Sequence, residues 1–137
     1  MPYLPPEEAN NKLVDAIKEI KARRGTPPWR EKVLATPRVR MLVHCWPPNF
    51  GHAAHYHPRA DEIWYVCEGK LSVSFDGGEP VVAGPGSVLF AQRGTSHDMK
   101  SVGEVPLVML CLVAPNEVDD EVSLSDEKMK FPEDHKK

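Results

Sequence analysis

The side chains best suited to chemistry in this sequence are histidines. There are six in 137 residues, and two of them stand as His55-Tyr56-His57. On a strand, residues i and i+2 point to the same face, so these two imidazoles project side by side. Such a pair is a clamp for a transition-metal ion. Pro58-Arg59-Ala60-Asp61 reads as a turn, and the next extended run opens with Glu62. A hairpin at that point returns the Glu62 carboxylate to the face of the histidines. Trp64 and Val66 follow on the face of Glu62 and would wall the site with apolar surface. His97, downstream of Gly94, is a fourth candidate. Imidazole with carboxylate suits Fe(II), Mn(II), Ni(II), Cu(II) or Zn(II), and lacks the thiolates of a structural zinc site.

Other groupings carry less. Ser96-His97-Asp98 resembles a triad in composition, but neighbouring strand residues point to opposite faces and cannot form a relay. Gly84-Pro85-Gly86 lacks the third glycine and the helix of a phosphate loop. His52, in a Gly-His-Ala-Ala loop, reads as a solvated neighbour in preference to a further ligand. His44 shares a strand face with Arg40, Leu42 and Trp46 and reads as a hydrogen-bonded structural histidine. Arg40 would add a positive contact if its face turns inward, which the sequence leaves open. Cys67 faces away from Glu62 by parity and reads as a small buried hydrophobe. Candidate pocket residues are Trp64, Val66, Phe90, Met109 and Cys111, with a plain core role the stronger reading for most of them. Beyond the ligands, Tyr56, Tyr65 and His44 are the remaining acid–base candidates, and none is a strong base.

The elements that must position these residues are mostly strands. The pattern predicts strands at 31–35, 38–46, 53–57, 62–68, 71–76, 80–83, 87–91, 96–101 and 106–114, separated by Gly, Pro and Asn punctuation. Leu71, Val73 and Phe75 alternate with Ser72 and Ser74, and Asp76-Gly77 is a hairpin signal. Many short strands at close spacing imply an all-β sandwich or barrel. Before them, residues 7–24 read as an amphipathic helix. Glu7 and Glu8 fall in its first turn, Lys21, Arg23 and Arg24 in its last, and Gly25 stops it. Leu13, Val14, Ile17 and Ile20 form a narrow stripe, as on an outer helix. Three segments follow: helix and linker 1–28, barrel 29–115, and an acidic tail 116–137. The tail holds eight acids against four lysines. Ser125 is placed to cap a short helix over 126–130, or the segment frays.

Composition narrows the partners. The formal net charge is −3 with no basic stripe, unlike a nucleic-acid binder. The longest clean apolar run, Leu107–Ala114, is far short of the ~20 residues that span a bilayer. The start of the sequence lacks a basic and an apolar signal region, and Cys45, Cys67 and Cys111 are an odd, scattered set, which together predict a cytoplasmic protein with free thiols. The 14 prolines fit many turns and argue against a helical bundle.

The histidine region resembles the cupin superfamily. Its first motif is matched by His55-x-His57, four residues, Glu62, six residues and Gly69, with Gly51 only three residues ahead of His55. Its second motif corresponds to Gly86, then Gln92-Arg93-Gly94, His97 and Ser101; Gln92 and Ser101 stand where proline and asparagine are usual. The likeness runs over roughly residues 38–114. It implies a double-stranded β-helix (jelly-roll) barrel holding one divalent metal on His55, His57, Glu62 and His97, with two positions open on a six-coordinate ion. It implies a small-molecule metalloprotein and admits three roles. The first is a mononuclear non-haem dioxygenase using Fe(II), favoured by the lack of a strong base. The second is a lyase or isomerase with the metal as Lewis acid, and the third a non-catalytic ligand sensor. The centre's charge of about +1 points to a small anionic ligand. Small members of the superfamily pair, and the helix stripe needs a surface, so a homodimer is expected.

Overall fold

Strand alternation is the rule from which this molecule is built. The computed structural model describes residues 17–117 and 121–124. Its helix α1 (Ile17–Arg24) is followed by β1 (Trp29–Ala35), β2 (Arg40–Trp46), β3 (Gly51–Tyr56), β4 (Asp61–Glu68) and β5 (Lys70–Phe75). Then come β6 (Val81–Ala83), β7 (Val88–Ala91), β8 (His97–Val102), β9 (Leu107–Ala114) and β10 (Val122–Ser123). Two five-stranded antiparallel sheets result, in the orders β1-β2-β9-β4-β7 and β10-β3-β8-β5-β6. From β2 to β5, and again from β6 to β10, successive strands pass from one sheet to the other, giving the double-sheet jelly roll that the resemblance implied.

The two sheets share one interior. Trp64 and Val66 of β4, Leu71 and Val73 of β5, Leu89 and Ala91 of β7 and Met99 of β8 all point into it. Leu42 and Trp46 of β2, with Leu107, Met109 and Cys111 of β9, complete that core. Strand β9 is apolar on both faces because both are covered. Its other face, with Val43 and Cys45 of β2, lies beneath Ile20 and Trp29 in a second cluster. A strand buried on both sides reads as a continuous apolar run, which is what 107–114 is.

Helix α1 therefore finds its cover within the chain. Ile20 is 1% exposed against that outer face, a burial that contributes about 1.5–3 kcal/mol. The expectation that the stripe needs a second copy loses this support. Leu13, Val14 and the rest of the predicted helix before Ile17 lie outside the described residues, as does the short helix expected over 126–130. Gly25 ends α1 at φ 73°, its N–H donating to the carbonyl of Lys21. Among the described residues no helix is long and apolar enough to cross a membrane.

Two further differences from the sequence reading matter for the site. Strand β10 lies in the segment read as an acidic tail, and it pairs with β3 through Val122↔Tyr56 and Ser123↔His55. Phe90, a candidate pocket residue, is 55% exposed. On β7 the inward positions are Leu89 and Ala91, so parity turns Phe90 to the outside. Gly69 sits where β4 turns into β5 at φ 77°, and a Cβ there would come 2.5 Å from the carbonyl oxygen of Pro106. Backbone passes too close for any side chain at that corner.

Candidate metal centre

Three chain segments converge to make the site. His55 lies near the end of β3 and His57 just beyond it, two residues apart and both buried. Glu62 opens the inward series Glu62, Trp64, Val66 of β4. His97 is the first residue of β8 and the cross-strand partner of His55. The two turns that precede Glu62 and His97 are tied to each other. Gly94 N–H donates to the carbonyl of His57 at 2.7 Å, and Arg93 N–H to Oδ1 of Asp61 at 2.9 Å. Asp76 holds the second turn from the other side, its Oδ1 accepting from the N–H and the hydroxyl of Ser96. The imidazole of His97 therefore leaves a backbone held on both flanks.

The ligand atoms meet closely. Nε2 of His97 lies 3.0 Å from Nε2 of His55 and 3.2 Å from Oε1 of Glu62. Nε2 of His57 lies 3.1 Å from the same Oε1. Atoms each about 2.1 Å from one ion at right angles to one another would stand about 3.0 Å apart, as these do. The tautomers make the same point. Nδ1 of His55 faces the carbonyl of Ala53 at 3.0 Å, and Nδ1 of His97 that of Thr95 at 3.2 Å. A carbonyl can only accept, so each Nδ1 carries a proton, and in the neutral ring that ligates a metal each Nε2 presents a lone pair. Two lone pairs thus face one another at 3.0 Å. Beside them the buried Oε1 of Glu62 faces Nε2 of both His57 and His97 within 3.2 Å. Such an arrangement of acceptors is costly alone and suits a shared cation. The donor set fits a divalent transition metal.

Electrostatics agree with that fit. Burial, followed by the charge of His97, pushes the His55 imidazole down to about 4. Burial, then His55, takes His52 down to about 3. Both are neutral at pH 7, the form that ligates. Burial would also lower His57, but the adjoining Glu62 carboxylate outweighs it and raises that imidazole. Burial would raise the Glu62 carboxyl, and the imidazoles of His57 and His97 overcome it and hold it well below the carboxylate range.

The surrounding residues sort by depth. Cys111 donates its thiol to Oε2 of Glu62 at 3.4 Å, leaving Oε1 turned to the histidines. Burial, and then Glu62, pushes that thiol well up, so it keeps its proton. The Trp64 ring stands 4.9 Å from that of His97 and walls the site. Val66 and Met109 pair one step deeper and are fully buried core. Arg40 shares the inward register of Leu42, opposite Val113, which in turn pairs with Glu62. Of the acid–base candidates, His44 accepts a hydrogen bond from the Trp46 indole at 3.2 Å. Tyr65 is 43% exposed on the outer face, and Tyr56 pairs with β10.

Two residues stand closer than the sequence implied. His52 lies on β3, not in a solvated loop, and its side chain is 11% exposed. Three residues from His55 it should face the other way, but the β3–β8 register shifts between them, and the two ring centroids lie 3.8 Å apart with the planes tilted by 34°. Glu121, just before β10, brings Oε1 to 3.5 Å from Nε2 of His55 and Oε2 to 3.8 Å from Nε2 of His52. The alternation Glu121, Val122, Ser123, Leu124 was the available signal, masked by the acids around it.

With this geometry in place, likeness to known proteins can be stated. A family profile described as "Cupin domain" matches residues 42–113, more than half of the chain. Tetracenomycin polyketide synthase protein TcmJ of Streptomyces glaucescens is 36% identical over 68 residues, covering 50% of this chain and 45% of TcmJ. The chain spans just under half the length of the curated relatives it matches. The structure of KdgF from Halomonas sp. is similar at 27% identity, covering 66% of this chain and 80% of KdgF with a TM-score of 0.61. A conserved protein with a double-stranded β-helix domain from Klebsiella pneumoniae covers more. It is 20% identical, spans 90% of this chain and 97% of its own, and has a TM-score of 0.65, a likeness of fold alone.

Proposed function

We propose, from the premise that this chain belongs to the cupin domain family, that it is a mononuclear metal-dependent enzyme of dioxygenase type acting on a small anionic organic substrate. The ligands in this reading are His55, His57, Glu62 and His97, carried by a barrel over 29–115. The observation that carries it is the convergence of three buried imidazoles and the buried Glu62 carboxylate on one point. A divalent metal held there, Fe(II) first, with Mn, Ni, Cu or Zn as alternatives, supplies a cation for an anionic oxygen donor and, where redox-active, electrons for O₂.

The chain's own residues set the rest. Three neutral imidazoles and one carboxylate leave the loaded centre near +1, which selects anions over neutral ligands. Trp64 excludes water on one side and keeps the local dielectric low, so that charge is felt. Arg40, on the inward register of β2, adds a positive group toward the same end. Cys111 fixes Glu62 by holding its other oxygen. His44 and Tyr65 are occupied elsewhere, which supports a reaction led by the cofactor over one led by a side-chain base.

The test begins with anaerobic purification and metal analysis. Oxygen uptake is then followed against small 2-oxo and 2-hydroxy carboxylates and their neutral amides. Uptake with acids alone is expected. Turnover without oxygen consumption would replace the reading by Lewis-acid chemistry, and binding without turnover by a sensor.

Pairing of two copies is part of the proposal. Apolar residues on the edge strands β6 and β7 support it, with Val82, Val88 and Phe90 more than half exposed. Light scattering at micromolar concentration should give a dimer, and Phe90→Asp a monomer. The free thiols of Cys45, Cys67 and Cys111 fit a reducing, cytoplasmic setting.

A further inference from the structure

The peptide between Thr95 and Ser96 touches a candidate ligand on one side and a carboxylate outside the site on the other. Its carbonyl, that of Thr95, lies 3.2 Å from Nδ1 of His97 and accepts that proton. Its N–H, that of Ser96, donates at 3.0 Å to Oδ1 of Asp76, to which the Ser96 hydroxyl also donates at 3.1 Å. In a trans peptide C=O and N–H point in opposite directions, so the contacts run from carboxylate through peptide to imidazole. A carboxylate drawing on the N–H polarises the carbonyl, which then holds the Nδ1 proton more strongly. That bond orients the ring and raises the basicity of the nitrogen that ligates.

The turn that carries Asp76 does not itself need a carboxylate. Asp76 and Gly77 stand at φ 51° and 73°, and the Gly78 N–H donates to the carbonyl of Phe75 at 2.9 Å. Left-handed residues at both central positions admit Asn-Gly or Gly-Gly as readily as Asp-Gly. Glycine would hold that φ without strain, so the side chain at 76 is surplus to the turn. Its placement follows from the ladder. Phe75 is the cross-strand partner of His97, and the Asp76 N–H donates to the carbonyl of Ser96 at 2.9 Å.

We propose that Asp76 is a positioning residue of the metal centre, acting on His97 through the Thr95–Ser96 peptide. The assignment rests on the ligand reading above. Cys111 holds Glu62 by direct contact, whereas Asp76 holds His97 at one remove. Asp76 is exposed, so water weakens its hydrogen bonds, and its effect falls at the low end for outer-sphere partners. The effect is local to His97, because His55 takes its orientation from a different carbonyl, that of Ala53.

The experiment adds Zn(II) to the metal-stripped full chain. Affinity is read by competition with a chelator, and the Nδ1–H resonances of His55 and His97 by NMR of the loaded form. Asp76→Gly keeps the turn and removes the acceptor. It is expected to weaken Zn(II) about 10-fold and to move the His97 Nδ1–H resonance upfield, as a weakened hydrogen bond does. The His55 resonance and the urea midpoint of the metal-free chain should stay near those of the parent. Asp76→Asn keeps both the turn and an acceptor oxygen, and should restore most of the affinity and of the His97 shift. Parental affinity and His97 resonance in Asp76→Gly would overturn the assignment while leaving the ligand reading intact. A loss in Asp76→Asn as large as in Asp76→Gly would also overturn it, as would a His55 shift equal to that of His97, the mark of general loosening. No Zn(II) binding by the unaltered chain would overturn both the assignment and the ligand reading beneath it.

Discussion

The interior of the barrel has two ends built from the same strands, and they hold opposite contents. At one end β4 presents Glu62, β8 presents His97 and β3 presents His55. Further along, β4 presents Val66 and β5 presents Leu71, with Trp46 and Leu107 beside them, all fully buried. Alternation turns every one of these side chains inward, so being inside does not make a residue chemical. The difference lies in the turns. At the histidine end the turns before Glu62 and His97 are bound to one another and to Asp76, which fixes polar groups at distances they would not choose alone. At the apolar end, packing sets the geometry. Damage at one end should therefore cost stability, and at the other, metal.

The largest expected effect is at the apolar end. Trp46→Ala should lower unfolding free energy by about 3–5 kcal/mol by denaturant titration, while metal bound per folded chain stays unchanged. Loss of metal with little loss of stability would reverse the comparison. At the histidine end, His97→Ala should weaken metal binding more than about 100-fold, beyond the range for outer-sphere partners. Circular dichroism of its metal-free form should remain that of the parent. Cys111→Ala sits between the two ends. It removes the donor to Oε2 of Glu62 and should weaken metal about 10-fold, measured by competition with a chelator.

Acid should also separate the ends. In the metal-free chain His55 and His52 are held at about 4 and about 3, against ~6.5 when unfolded. The unfolded chain binds more protons, so these two contribute stability that is lost as pH falls from ~6.5 towards 4. His57 is raised and acts oppositely, its contribution present in acid and lost as pH rises. Metal affinity should fall as pH drops through the His57 value, since that ring must be neutral to ligate. Urea midpoints and metal titrations at stepped pH read both effects. The smallest change is the control: Lys21→Ala breaks a half-exposed ion pair with Glu68 and should cost under about 1 kcal/mol and no metal.

Much of this was legible in the residues. Strand parity placed Trp64 and Val66 behind Glu62, and spacing paired His55 with His57, because period-two geometry is local. All nine expected strands occur, with bounds within two residues of those read from the pattern. What escaped was non-local. The register shift in β3 that turns His52 toward His55 depends on pairing with β8, which no stretch of sequence encodes by itself. Strand β10 is two residues long among acids, and only its partner β3 makes it a strand. The outward face of Phe90 follows from which residue of β7 opens the alternation, and one position of error inverts it. The cover for Ile20 came from Val43, Cys45 and Val108, far along the chain, so a helix stripe alone could not distinguish its own sheet from a second copy.

The most direct measurement is anomalous scattering from crystals of the metal-loaded chain, collected at the absorption edge of the bound metal. The account predicts one strong peak per chain, about 2.0–2.3 Å from Nε2 of His55, His57 and His97 and from Oε1 of Glu62. A peak elsewhere, or none in a crystal grown from stoichiometrically loaded protein, would contradict it.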